Sequence, residues 1–278
     1  MKPWLVAALV ALAAGCAAPA LNRGSPAQSR LTDAEGRAAA LAKSGDYAGA
    51  ARYYGEALRI ATALQNADAI AANAINLSIV DQWLGRDAEA RAALAPVLDQ
   101  PRANFSDRRK VQAELRRAIL ELAGGNTGAA AVFALEAERR CAQTSCEYAA
   151  TILNVRAQTE LDSGHAAEAA RLAQAAAERS RGEAGRAEAA NALRTLGRAR
   201  VAAGEAPTAL EPLRAALEID RELGDPRKIR ADLAELARAA DAAGDAEAAR
   251  GYQERSVAVS RAMSEAKSGA EMELLLRR

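Results

Sequence analysis

Six glycines fall in step along this chain. Gly45, Gly85, Gly125, Gly164, Gly204 and Gly244 are separated by 40, 40, 39, 40 and 40 residues. Alanine follows each of them five residues later, at Ala50, Ala90, Ala130, Ala169, Ala209 and Ala249. Self-similarity at such a period marks an array of supersecondary units rather than one closed core. The stretches between the glycines are rich in Ala, Glu, Arg and Leu, which are good helix formers. Each unit therefore reads as two helices. Glycine ends the first, where a left-handed residue is needed, and the small alanine lets the second approach closely. Aromatic residues make up only 3 % of the 278, too few for a compact globular core of this length but enough for stacked, Ala-rich helices. The expected fold is an all-α solenoid of six helix-turn-helix repeats with a concave side.

The strings around the glycines are SGDYAGAARYY, LGRDAEARAAL, GGNTGAAAVFA, SGHAAEAARLA, AGEAPTALEPL and AGDAEAARGYQ. They resemble the tetratricopeptide repeat. That family often places Asp-Tyr after the turn glycine, as in Gly45-Asp46-Tyr47. A small residue follows five after the glycine, an aromatic or Leu four further on, and another small residue three beyond that. Repeat one fits with Ala50, Tyr54 and Ala57, and repeat five with Leu196-Gly197, Ala209, Leu213 and Ala216. Repeats four and six depart, with Ala173 and Gln253 in the aromatic slot. The period is nearer the longer variants of the family than its usual length of about 34. The resemblance covers residues 31–262, and Ser106 or Asp107 is expected to cap a helix there. Residues 263–278, ending Glu-Met-Glu-Leu-Leu-Leu-Arg-Arg, are expected to form a capping segment over the last hairpin, or a contact site for a partner or second copy.

The N-terminus reads as an export signal. Lys2 precedes an apolar stretch from Leu5 to Ala14, too short to span a bilayer. It ends in Ala13-Ala14-Gly15-Cys16, which resembles a lipobox, with Ala13 where Leu is usual. Residues 1–15 are then a lipoprotein signal peptide and Cys16 the lipid attachment site. The alternative is ordinary secretion with cleavage after Ala18-Pro19-Ala20, which discards Cys16 and leaves a soluble periplasmic chain. A cysteine directly after the apolar stretch and a small pair favours lipidation. Several acyl chains on one residue suffice for stable anchoring. Ala17, where inner-membrane lipoproteins of enteric bacteria carry Asp, favours the outer membrane, facing the periplasm. Residues 16–30 have no periodicity and read as a lipidated flexible tether.

Charge and motif content exclude several functions. With 37 basic and 36 acidic residues interspersed, there is no basic stripe for nucleic acid. The single histidine, His165, occupies a turn slot that carries Asp46, Arg86, Asn126, Glu205 and Asp245 in the other repeats. No nucleophile elbow, zinc-helix or phosphate-loop string occurs. No catalytic residue, metal or cofactor is expected. Cys141 and Cys146 lie at the junction of repeats three and four. In an exported chain a disulfide is the favoured state over free thiols.

The resemblance implies that the first helix of each hairpin lines a groove. Its inward positions lie about three, six and ten residues before the glycine. These include Ile75, Ile79, Leu115 and Ile119, then Asn154, Gln158, Arg194, Arg198 and Arg238. Asn76 matches the family asparagine, and Trp83 is the only tryptophan left after processing. The groove is expected to run from an apolar patch in repeats two and three to a basic patch in repeats four to six. A peptide with an apolar segment and an acidic or carboxylate end would suit it. The opposing interpretation pairs Arg194 and Arg198 with acids on adjacent helices and puts the isoleucines in the core. The implied function is a membrane-anchored adaptor binding a protein or peptide of the cell envelope. The alternatives are a glycan-binding or enzymatic envelope protein, disfavoured by the scarcity of aromatics, and a structural, self-assembling lipoprotein.

Overall fold

The computed structural model describes residues 25–99, 104–143, 146–180, 182 and 185–276, with side chains to 265. The signal peptide, Cys16 and most of the tether lie outside the described residues. Helix α1 (Pro26–Ser44) pairs with α2 (Tyr47–Ala63), and α3 (Ala67–Trp83) with the short α4 (Asp87–Ala92) and α5 (Ala95–Leu98). Then follow α6 (Asp107–Ala123) with α7 (Thr127–Cys141) and α8 (Ala149–Asp162) with α9 (Ala166–Arg179). The array ends in α10 (Arg186–Ala202) with α11 (Ala206–Leu223) and α12 (Pro226–Ala242) with α13 (Ala246–Leu276). No strand occurs among the described residues.

The six spaced glycines sit in the turns between first and second helices, with φ of 85°, 73°, 75°, 86°, 80° and 82° in chain order. An L side chain is strained in that left-handed region, so glycine is required there. The alanines five residues on behave as expected: Ala50, Ala90, Ala130, Ala169 and Ala209 are all fully buried. Ala249 is only half-buried, as no further hairpin among the described residues packs on α13. Tyr54, Leu94, Ala173 and Leu213 fill the next slot of the buried face, whereas Gln253 is exposed. Side-chain caps start several helices. Asn66 accepts from the Ala69 N–H at 3.1 Å, and Ser106, rather than Asp107, accepts from the Arg109 N–H at 3.4 Å.

Three details differ from the sequence reading. The array begins at Pro26, inside the stretch read as tether, because Ser25 caps α1 by accepting from the Gln28 N–H at 3.2 Å and proline suits the first helical position. At the other end residues 263–276 are not set off from the last hairpin: α13 continues unbroken through Gly269, one glycine costing a helix only about 1 kcal/mol. The second helix of repeat two is broken. Pro96 has no N–H to offer the Ala92 carbonyl, and α4 stops at Ala92. Leu94 and Val97 nonetheless stay in the core. Pro212 is tolerated inside α11 because the carbonyl it leaves free, that of Thr208, accepts from Arg200 Nη1 at 2.8 Å.

The array also touches itself beyond neighbouring hairpins. Trp83, at the end of α3, packs on Tyr47 with ring centroids 4.8 Å apart. The guanidinium of Arg227, at the start of α12, lies 5.9 Å from the Trp83 ring centroid. An open cavity of about 840 Å³ lies beside this contact, bounded by Tyr47, Pro226, Ile229, Val259 and Met263. The superhelix therefore brings its second hairpin against its sixth.

Candidate functional groove

First helices stack side by side along one face. There α6, α8 and α10 bound a cavity of about 290 Å³ that gathers Ile119, Asn154, Gln158, Arg194 and Arg198. Five of the groove positions expected from the sequence thus converge on one site. A second cavity, of about 460 Å³, lies among α1, α3 and α6 and includes Asn76 with Glu35, Asn73 and Asp68. The remaining expected positions lie elsewhere. Ile75 packs on the core between the second and third hairpins, and Leu115 is 6 % exposed within the next core cluster. Ile79 is half-buried, Trp83 makes the contact with Arg227, and Arg238 is exposed beside Glu235.

The arginines of the expected basic patch are engaged within the fold. Arg194 Nε donates to Asp232 Oδ1 at 2.5 Å, and its Nη2 donates to Asp220. Both aspartates are completely buried, on α12 and α11 respectively. Burial pushes the Asp232 carboxyl up to about 6; Arg194 opposes that shift, and the neighbouring Asp220 adds to it. Arg198 Nε is 3.7 Å from Glu235, and the Lys228 ammonium bonds to Asn191 Oδ1. A free basic patch waiting for a carboxylate is therefore absent here. The reason is that its counter-charges come from α11 and α12, outside the first-helix register.

Acceptors are left over instead. Asn154, 3 % exposed, donates from Nδ2 to Glu188 Oε1 at 3.1 Å, while its Oδ1 is buried without a hydrogen-bond partner. Buried polar atoms of this kind are rare and each calls for an explanation. The amide cannot simply be turned over, because a carboxylate neighbour can only accept. In the other cavity Asn73 Nδ2 donates to Glu35 Oε1 at 2.7 Å. The nearby Asp68 is clasped by Arg109 Nε and Nη2 at 2.7 and 2.8 Å, a hydrogen-bonded pairing that holds its carboxyl below the usual range. Glu35, Asn73, Glu188, Asp220 and Asp232 were not singled out from sequence. Glu35 could have been, since it stands ten residues before Gly45, in the slot that Asn154 and Arg194 fill in their repeats.

The two cysteines are joined as a disulfide with Cα atoms 5.1 Å apart, tying the end of α7 to the approach to α8. His165 Nδ1 lies 2.8 Å from Glu160 Oε2 in an exposed turn, away from both groove cavities.

No protein-family model matches the chain, and no curated protein does. Solved structures do. BtubC (BKLC) from P. vanneervenii aligns with a TM-score of 0.60 at 19 % identity, over 87 % of this chain and 93 % of that one. A putative kinesin light chain from Podosopora anserina, with nearly identical TPR-like repeats, aligns at 0.53 and 20 % identity, over 70 % and 96 %. A Rap protein complexed with competence and sporulation factor aligns at 0.60 and 16 % identity, over 84 % of this chain and 66 % of that one. At such identities the likeness concerns the fold. The chain is an α-helical repeat protein whose fold is similar to that of TPR-like arrays.

Proposed function

We propose that this protein is a non-enzymatic adaptor, anchored through Cys16 at the outer membrane, whose groove across α6, α8 and α10 holds an extended segment of an envelope protein. The observation that carries the binding site is the unsatisfied Asn154 Oδ1, buried in a concave cavity and lacking a donor. An extended peptide offers main-chain N–H groups and can follow a groove along successive first helices. The Rap complex with competence and sporulation factor has the same repeat architecture and supports ligand binding by such an array. The anchoring half of the reading rests on the sequence from Lys2 to Cys16. Among the described residues no helix is long and apolar enough to cross a membrane.

The test is crosslinking and recovery from intact cells of the tagged full-length chain beside a Cys16→Ala version. The reading expects membrane fractionation and a defined partner for the first, with both lost or reduced for the second. Equal fractionation and the same partner for both would remove the anchor from the account. Recovery of no protein by either would remove the adaptor.

A further inference from the structure

The groove has more acceptors than donors. Every basic group around the α8/α10 cavity already has an acceptor within the fold: Arg194 with Asp220 and Asp232, Arg198 with Glu235, Lys228 with Asn191. Glu188 and Asn154 are in the opposite condition. Among the described residues Glu188 has no cation within ion-pair distance and one donor, the Asn154 amide. The carbonyl of that same amide has no donor at all. A similar carboxylate–amide pair lies in the second cavity, among α1, α3 and α6, farther along the same row of first helices. Among the described residues Glu35 also has an asparagine amide, Asn73, as its donor and no cation within ion-pair distance. Glu188 lies in the first turn of α10, where the helix dipole favours a carboxylate. Glu35 lies in the middle of α1 and lacks that support.

A ligand that completes these sites must bring several N–H donors and positive charge. A carboxylate ligand would bring neither. We propose that the groove is a site for a cationic segment, with Lys or Arg side chains of an extended partner peptide seated on Glu188 and Glu35 and an N–H of the ligand directed at Asn154 Oδ1. This inference rests on the groove reading above and reverses the charge expected from sequence. An ammonium or guanidinium suits a carboxylate beside an amide carbonyl, since it has three or five donors and no acceptor. Charge-assisted bonds of that kind are roughly twice as strong as neutral ones.

The experiment is calorimetric titration of the full chain, at low salt, with two end-capped peptides of equal length, one alternating Ala and Lys, the other Ala and Glu. The Ala/Lys peptide is expected to bind, and Glu188→Gln to weaken it by about tenfold or more. Glu35→Gln should weaken it as well, and added salt should narrow the gap between wild type and variant. Glu218→Gln, exposed on the second helix α11 and outside both groove cavities, should leave the affinity unchanged. Unchanged thermal unfolding of the isosteric variants separates lost binding from lost folding. Preference for the Ala/Glu peptide, or Ala/Lys binding indifferent to both glutamates, overturns the charge assignment and leaves the groove standing. Failure of both peptides to bind overturns the charge assignment and the groove together.

Discussion

Two arginines, Arg116 on α6 and Arg194 on α10, sit within the array under opposite conditions. Arg116, 8 % exposed, donates from Nε to Ser78 Oγ at 3.0 Å and from Nη2 to the Ser78 carbonyl at 2.9 Å. Among the described residues no carboxylate lies within ion-pair distance of it, and burial lowers its pKa to about 10. Arg194 has two buried carboxylates for one guanidinium. Arg116 is thus a buried cation held by neutral acceptors across α3 and α6, and Arg194 a single cation between two buried anions of α11 and α12. The residues that line the groove suggest otherwise, apolar at the first junction and basic at the second. What a groove offers a ligand is set by whatever its side chains are not already bonded to, and those partners can lie on helices that never reach the groove.

The comparison is broken most directly by removing each arginine. Arg194→Met leaves Asp220 and Asp232 buried without a cation and is expected to cost roughly 3–5 kcal/mol, read as the urea midpoint. Arg116→Met removes a costly buried charge along with its hydrogen bonds, and the two effects should cancel to within about 1 kcal/mol. Equal losses for the two would erase the distinction between the junctions.

The pH dependence sharpens the same contrast. Asp232 titrates near its ordinary value of 3.8 when unfolded and at about 6 when folded, so between those values the folded chain holds a proton that the unfolded chain releases. Its contribution to stability is therefore greatest below about pH 4 and falls as pH rises towards about 6, by on the order of 3 kcal/mol. Asp232→Asn keeps an acceptor for Arg194 and removes the titration. Its melting temperature relative to wild type should climb from pH 4 to 6 and then level off. A constant difference across that range would show that the carboxyl is not perturbed.

Packing distinguishes the junctions as well. Gly197 lies so close to α11 that an added Cβ would come within 2.4 Å of Leu213 Cγ, and Gly197→Ala should cost about 1–3 kcal/mol by thermal unfolding despite its better helix propensity. The corresponding position on α6 is already alanine, the fully buried Ala118. The smallest expected effect belongs to the contact that joins the two halves of the array. Arg227→Ala removes a cation over the half-exposed Trp83 ring and should cost about 0.5–1 kcal/mol, with a shift in Trp83 emission.

Most of the architecture was legible in the glycines and alanines, because a left-handed turn and a close helix approach each tolerate few residue types. Helix ends were less so. Ser25-Pro26 is a good start signal hidden in a stretch whose composition reads as linker, and the effect of proline depends on whether the freed carbonyl finds another donor. It does so in α11, through Arg200, whereas at Pro96 the helix breaks. In the groove, counting back from the glycine brought Ile119, Asn154, Gln158, Arg194 and Arg198 to one cavity. Their charge state was not legible. Asp220 and Asp232 stand 26 and 38 residues from Arg194 and pair with it only through the stacking of three helices.

The most direct test of the account is where a partner touches the array. A photoreactive benzoylphenylalanine placed at Gln158, on the rim of the groove cavity, is compared in living cells with one at Val132, 60 % exposed on the second helix α7. The account predicts a discrete protein adduct from Gln158, competed by groove ligand and absent at Val132. Adducts from Val132 with none from Gln158 would contradict it and move the binding surface to the outer helices.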